Sequence, residues 1–203
     1  MTTLAFALAA TVKHDGHGGI ADLLSTPEEA VAWLTDHEQL VAQVLGAESG
    51  LGRFVHPNRT ETLPNLREEL VRIRGAVRAL FARAVAPGEP SKADASRLMS
   101  VEDALRMVNR AADRLGTTHL EWTEEPSVRW MYRSEDPVAV LVGAVGRSAI
   151  DFLVSPDRAR LRACPAARCV KYFLQDDPRQ TWCSPACGNR ERVNRHYRKR
   201  TSG

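Results

Sequence analysis

Cysteine is scarce in this 203-residue chain: four are present, and none precedes Cys164. A disulfide framework is therefore excluded for the long N-terminal part, which must be held by an apolar core, and the chain is long enough for one such core plus a small appendage. Long apolar runs are lacking too. The most apolar stretch, Pro137 to Gly146, falls short of the roughly 20 residues a bilayer needs and runs on into Arg147 and Asp151. No membrane span is expected, and the chain reads as soluble. No Lys or Arg precedes Lys13, so the short apolar start lacks the charged flank of an export signal, although its Ala9-Ala10 end mimics a cleavage site. A cytoplasmic location is expected. Repeats and low-complexity tracts are also absent.

Net charge is small, but its distribution is not. The formal charge of +3 hides two parts of opposite sign: residues 1–156 carry 16 basic and 21 acidic side chains, residues 157–203 carry 12 and 4. The first part is thus acidic at −5 and the second basic at +8. That density favours a polyanionic partner.

The four cysteines, Cys164, Cys169, Cys183 and Cys187, are spaced C-x4-C-x13-C-x3-C. Two close pairs separated by a dozen or so residues can bring four thiolates to one tetrahedral Zn²⁺. The alternative for an even count is a pair of disulfides, which needs an oxidising compartment and finds no export signal here. With zinc bound, the basic part keeps about +6.

Local signals predict a mainly α N-terminal domain over residues 1–156. His14-Asp15-Gly16-His17-Gly18-Gly19 reads as a loop that is either a solvated turn or a weak metal site. Thr26-Pro27-Glu28-Glu29 opens a helix that its apolar positions carry to Gly46. Residues 47–60 hold turn formers, and Leu66 to Ala84 form a second apolar stripe. Opposite that stripe, Arg67, Arg74 and Arg78 read as a solvated face or as phosphate contacts, with Glu68 and Arg72 as an i,i+4 pair. Leu98, Val101, Leu105, Val108, Ala112 and Leu115 give a third stripe. The runs 119–122 and 128–132 have hairpin spacing. Trp122, Trp130 and Tyr132 either pack on the helices or, with Arg147, line a pocket for a small-molecule effector. Asp136-Pro137 opens an almost wholly apolar helix, on which Arg147 and Asp151 are spaced for an ion pair.

In residues 157–203, Cys164-Pro-Ala-Ala-Arg-Cys169 reads as a knuckle. A β-hairpin of 170–174 with 180–183 is expected to link the two ligand pairs. Ser184 and Pro185 start a helix that places Cys187 in its first turn, where the positive dipole end favours a thiolate. Knuckle, hairpin and ligand-bearing helix make a treble-clef-like order. At 100° per residue the helix separates into two sides. Ala186, Val193 and Tyr197 are expected inside with Cys187 and Arg190, the latter donating to knuckle carbonyls. Asn189, Arg192, Arg195, His196, Arg198, Lys199 and Arg200 are expected to face nucleic acid, along roughly 22 Å of helix.

Cys187-Gly188-Asn189-Arg190, preceded by Trp182-Cys183-Ser184 and followed by a basic helix, resembles the CGNR zinc-finger family; Cys164, Cys169 and Tyr172-Phe173-Leu174 fit its first half. In that family the finger usually follows a helical ABATE domain, whose opening is similar to His14-Asp15 through Asp22-Leu23-Leu24-Ser25-Thr26-Pro27. The chain departs from the family's usual Asn-Thr at Ala10-Thr11. The resemblance implies a bacterial, stress-linked transcription regulator with one structural zinc. DNA is the expected partner, a homodimer would supply two half-sites, and RNA or protein binding is the competing reading. Enzymatic function is not expected, because four cysteines close the zinc shell and no nucleophile, base and orienting residue occur at motif spacing.

Overall fold

The computed structural model describes residues 3–15, 19–46, 63, 65–94 and 98–201. Within them lie seven α-helices and three two-stranded antiparallel sheets. In chain order these are α1 (Leu4–Ala9), β1 (Val12–His14), β2 (Ile20–Asp22), α2 (Pro27–Asp36), α3 (Glu38–Leu45), α4 (Leu66–Ala84) and α5 (Val101–Leu115). There follow β3 (Gly116–Trp122), β4 (Pro126–Tyr132), α6 (Pro137–Val154), a 3-10 turn (Pro156–Arg160), β5 (Leu161–Ala163), β6 (Tyr172–Leu174) and α7 (Pro185–Thr201). The turn formers at 47–60 lie outside the described residues, as do Gly16, His17 and Gly18 of the first loop.

The helix starts follow from their caps. Thr26 and Glu29 form a reciprocal capping box ahead of Pro27, Ser100 accepts from the Asp103 amide, and Asp136 accepts from the Val138 amide. The expected single helix to Gly46 is instead two. At His37 (φ −115°, ψ 22°) the ring Nδ1 donates to the Trp33 carbonyl at 2.7 Å and stacks on the Trp33 ring, taking the acceptor that a continuing helix would use.

Helix α6 is the centre of the fold. Eleven of its residues are buried, among them Val140, Leu141, Ala144, Val145 and Ala149. It is long and apolar enough to cross a membrane by length and composition, longer than its first apolar residues suggest, yet most of it is enclosed by α1, α4 and α5. Glycine permits the closest approach: a Cβ on Gly146 would lie 2.9 Å from the Val108 carbonyl oxygen, and one on Gly143 would lie 3.0 Å from the Ala111 carbonyl oxygen. The third apolar stripe is therefore buried through Ala104, Val108, Ala111 and Leu115, while Leu98, Val101 and Leu105 stay exposed.

The arginines of α4 overturn the expected solvated face. Arg74 is buried, with Nη1 on Asp22 Oδ1 (2.5 Å), Nη2 on Asp22 Oδ2 (2.6 Å), and Nη1 also on Thr11 Oγ1 (2.8 Å). Thr11 of the Ala10-Thr11 step thereby holds β1 and β2 against α4. Arg78 is buried likewise, and Arg67 donates to the Leu24 carbonyl at 2.8 Å. Nor do Glu68 and Arg72 pair: Glu68 meets Arg67, and Arg72 meets Glu69. These cations sit on a helix whose neighbours bring carboxylates and carbonyls from distant parts of the chain, so burial is compensated.

The finger hairpin also differs from expectation. Strand β6 pairs with β5, which precedes the knuckle, in the register Leu161↔Leu174, Arg162↔Phe173, Ala163↔Tyr172; residues 180–183 form no strand. The knuckle is thus the loop of the β5–β6 hairpin. The pairing places Leu161 and Tyr172 in the core of the helical domain, where Tyr172 meets Phe81 edge-on at 5.7 Å.

Candidate metal centre and basic helix

Four elements converge on the cysteines. Cys164 directly follows β5, Cys169 closes the knuckle, Cys183 lies in the turn before α7, and Cys187 sits in the first turn of α7. Their sulfurs all lie within 4.8 Å of one another, with Cys169–Cys183 at 3.7 Å and Cys183–Cys187 at 3.6 Å. A tetrahedral zinc with Zn–S of about 2.3 Å sets sulfurs about 3.8 Å apart. A disulfide would need about 2.05 Å, and all four cysteines are free.

The electrostatics of the cluster call for a cation. Hydrogen bonds from Cys169 and Cys183 pull Cys164 down to about 2, whereas Cys169 is pushed up to about 11, first by its bond to Cys164, and Cys183 is pushed up by both neighbours. The Cys164 thiolate holds Cys169 and Cys183 in their protonated forms, a conflict that a dication would remove. The Cys183 amide also points at Cys164 Sγ (3.5 Å), a donor suited to thiolate charge. The chain thus holds one structural zinc site with its shell filled by sulfur. Among the described residues this is the only group of three or more side chains placed to hold a metal; His14 and Asp15 form no such group, and His17 lies outside those residues.

The first turn of α7 is tied to the knuckle by more than metal. Arg190 Nη1 donates to the Ala167 carbonyl at 3.1 Å, and Glu191 Oε1 accepts from the Ala167 amide at 2.5 Å, so one residue is gripped on both sides. Gly188 gives Trp182 room, since a Cβ there would lie 2.7 Å from Trp182 Cδ1. Ser184 Oγ accepts from the Cys187 amide at 3.4 Å.

A second set of contacts, unforeseen in the sequence, clamps the knuckle to the helical domain. Lys92 Nζ donates to the carbonyls of Pro165 (2.8 Å) and Ala166 (2.6 Å). Arg78 donates to both Asp94 oxygens (2.9 and 3.0 Å), to Ser91 Oγ (3.0 Å) and to the carbonyls of Ala9 (2.7 Å) and Val170 (3.2 Å). Tyr172 donates to Asp94 Oδ2 at 2.7 Å, and burial together with the Asp94 charge pushes its phenol well above the usual range. Val170 directly follows the ligand Cys169, so the arginine holds the backbone one residue from the metal site. Tyr172, a polar ring in a short apolar strand, is the one sequence signal of this seam.

Beyond its first turns α7 stands in solvent. Arg192, Arg195, His196 and Arg200 are exposed; Asn189 is exposed and accepts from Arg192; the side chains of Arg198 and Lys199 lie outside the described set. The side expected to face inward is open as well, with Val193 at 52% and Tyr197 at 62% exposure and Ala186 exposed. The reason is size: the finger's own core comprises Cys164, Ala166, Cys169, Phe173 and Cys187 with Trp182 and Cys183, and it spans only the start of the helix.

Of the residues read as a ligand pocket, Arg147 and Trp130 line one shallow concavity of about 310 Å³ with Val44, Thr118 and Asp151. Arg147 Nε is paired with Asp151 (3.0 Å), and Trp130 Nε1 donates to the Val44 carbonyl (2.9 Å). Both polar groups are engaged within the protein. Trp122 is elsewhere, 70% exposed near the tip of the β3–β4 hairpin, so it neither packs on the helices nor joins that concavity.

Two family models match the chain. The ABATE model, described as "putative stress-induced transcription regulator", matches residues 2–156, and the CGNR zinc finger matches residues 160–200. Among curated proteins none matches significantly. Together with the sulfur cluster, these matches place the chain in the ABATE family of transcription regulators, with a zinc-binding CGNR finger at its C-terminal end.

Proposed function

We propose that the chain regulates transcription by binding duplex DNA through α7, with zinc fixing that helix in its pose. The observation that carries this reading is the charge of the helix against its anchorage: over 17 residues it holds Arg190, Arg192, Arg195, Arg198, Lys199 and Arg200 against the single acid Glu191. Arg190 and Glu191 serve the knuckle, which leaves the cations further along to the partner. At 1.5 Å per residue the helix is about 25 Å long and fits a major groove. In this reading Asn189 and His196 reach base edges and Arg192, Arg195, Arg198, Lys199 and Arg200 reach phosphates. Zinc plays no catalytic part, since its fourth position is a cysteine, and the protein is not an enzyme. Free thiols suit a reducing cytoplasm. Because one helix binds weakly alone, a homodimer on paired half-sites would supply specificity.

The exposed Val193 and Tyr197, four residues apart, favour a second reading in which α7 docks on a protein or on unpaired RNA bases. Selection by the zinc-loaded chain from random pools of duplex DNA, single-stranded DNA and RNA tests both. Enrichment of a common duplex motif supports the first reading. Enrichment from the RNA pool alone, or from none of the three, contradicts it.

A further inference from the structure

We infer that the chain has a binding site for an amphipathic monocarboxylate, an alkyl or aryl acid, in the groove where the helical domain meets the segment leading to the finger. The groove is open to solvent and offers about 1070 Å³ between the C-terminal end of α4, the start of α5, the end of α6 and the 3-10 turn at Pro156–Arg160. That is room for a ligand of drug size.

Its walls divide the ligand's chemistry. Leu80, Val101, Leu105 and Leu153 give an apolar floor, and Val101 and Leu105 are exposed at 40% and 46% although the helix they belong to has a core stripe next to them. Three guanidinium groups stand on the same walls: Arg83, Arg158 and Arg162. The guanidinium groups of Arg83 and Arg158 make no hydrogen bond or ion pair among the described residues, and Arg162 is fixed by Nη1 on the Ala159 and Leu161 carbonyls at 2.8 Å each. Among the described residues no acid lines the groove. The 430 Å³ concavity along α5 differs on this point, because the acids Glu69 and Asp103 line it and pair with Arg72 and Arg106, leaving Arg110 and Arg114 beside two carboxylates.

Uncompensated arginines beside apolar surface match a ligand with one anionic end and one apolar body: the planar fork takes the carboxylate, and the leucines take the body. A phosphodiester backbone would use the cations but leave the floor wet. The location adds a consequence. Arg83 belongs to the helical domain, while Arg158 and Arg162 belong to the segment that runs into β5 and Cys164, so one carboxylate would tie the two together. The site does not depend on what α7 binds.

Calorimetry on the zinc-loaded full chain tests it, with decanoate and 1-naphthoate as carboxylates, inorganic sulfate as a bare anion, and a short DNA duplex as a polyanion. The expected result is saturable binding of at least one carboxylate, weakened about tenfold or more by R83Q combined with R158Q, with sulfate far weaker. Independently, L105E, which places an acid in the groove at an exposed position, should abolish carboxylate binding while leaving the urea midpoint near that of the parent. The proposal is overturned if neither carboxylate binds saturably, if binding survives both sets of substitutions, or if sulfate binds as tightly. Loss of duplex affinity in R83Q/R158Q without any carboxylate binding would instead assign the groove to nucleic acid.

Discussion

Replacing Arg78 with methionine keeps most of the side-chain volume and deletes the charge and five hydrogen bonds that join α4 to α1, to Ser91, to Asp94 and to the residue after Cys169. Asp94, 9% exposed in its side chain, would then keep only the Tyr172 hydroxyl as a side-chain donor. Breaking a buried pair by removing one partner costs about 3–5 kcal/mol, a large part of the roughly 5–15 kcal/mol that holds a domain together. With a urea slope of about 2 kcal/mol per molar, the midpoint should fall by roughly 2 M. Arg72→Met, which removes only an exposed pair with Glu69, should cost less than about 1 kcal/mol and serves as the control. Because the Val170 carbonyl would keep only the Ser91 hydroxyl as a donor, R78M should also release zinc faster to a chromophoric chelator. Adding Asp94→Asn to R78M removes the stranded charge and should recover part of the stability, a coupling measured by the double-mutant cycle. An R78M midpoint no lower than that of R72M would refute the buried clamp.

Three further outcomes are expected. Gly188→Val should displace Trp182, changing its fluorescence and raising the zinc off-rate, because the new Cβ would lie 2.7 Å from the indole; unchanged metal retention would contradict that packing. Gly146→Val should cost about 1–3 kcal/mol or more by wedging α5 from α6, read as a lowered thermal midpoint. For Asp22, burial raises the carboxyl pKa, but the Arg74 guanidinium and the Leu24 amide pull it further the other way, to a net value below normal. Its contribution to stability is therefore present above about pH 4, the unfolded value, and is lost as pH falls through the lower folded value. The stability gap between the parent and Asp22→Asn should accordingly narrow on acidification; a gap that widens would contradict it.

Local chemistry is legible in the residues, and long-range chemistry is not. The cysteine spacing locates the metal cluster, and Thr26-Pro27, Asp136-Pro137 and the 116–132 hairpin are marked by caps and turns within a few positions of each other. Arg74 and Arg78 escape such a reading because their partners are remote: Asp22 is 52 residues from Arg74, and Ala9 is 69 from Arg78. Nothing in a helical stripe distinguishes an arginine facing water from one facing a carboxylate delivered by another element. The finger hairpin is hidden for a related reason. Residues 161–163 and 180–183 are both short and both able to pair with 172–174, and the choice is made by Leu161 and Tyr172 fitting the core of the helical domain. The open inner side of α7 is invisible because periodicity reports which residues share a side, not whether anything covers it.

A cationic helix, held by zinc, is proposed to lie against a phosphate-bearing duplex. Measuring duplex affinity against salt concentration for the zinc-loaded chain and for Arg195→Ala combined with Arg200→Ala tests it most directly. Each phosphate-binding cation removed should reduce the slope of log K against log salt by about 0.9, so the pair should flatten it by roughly 2 with zinc content unchanged. An unaltered slope would contradict the assignment of α7.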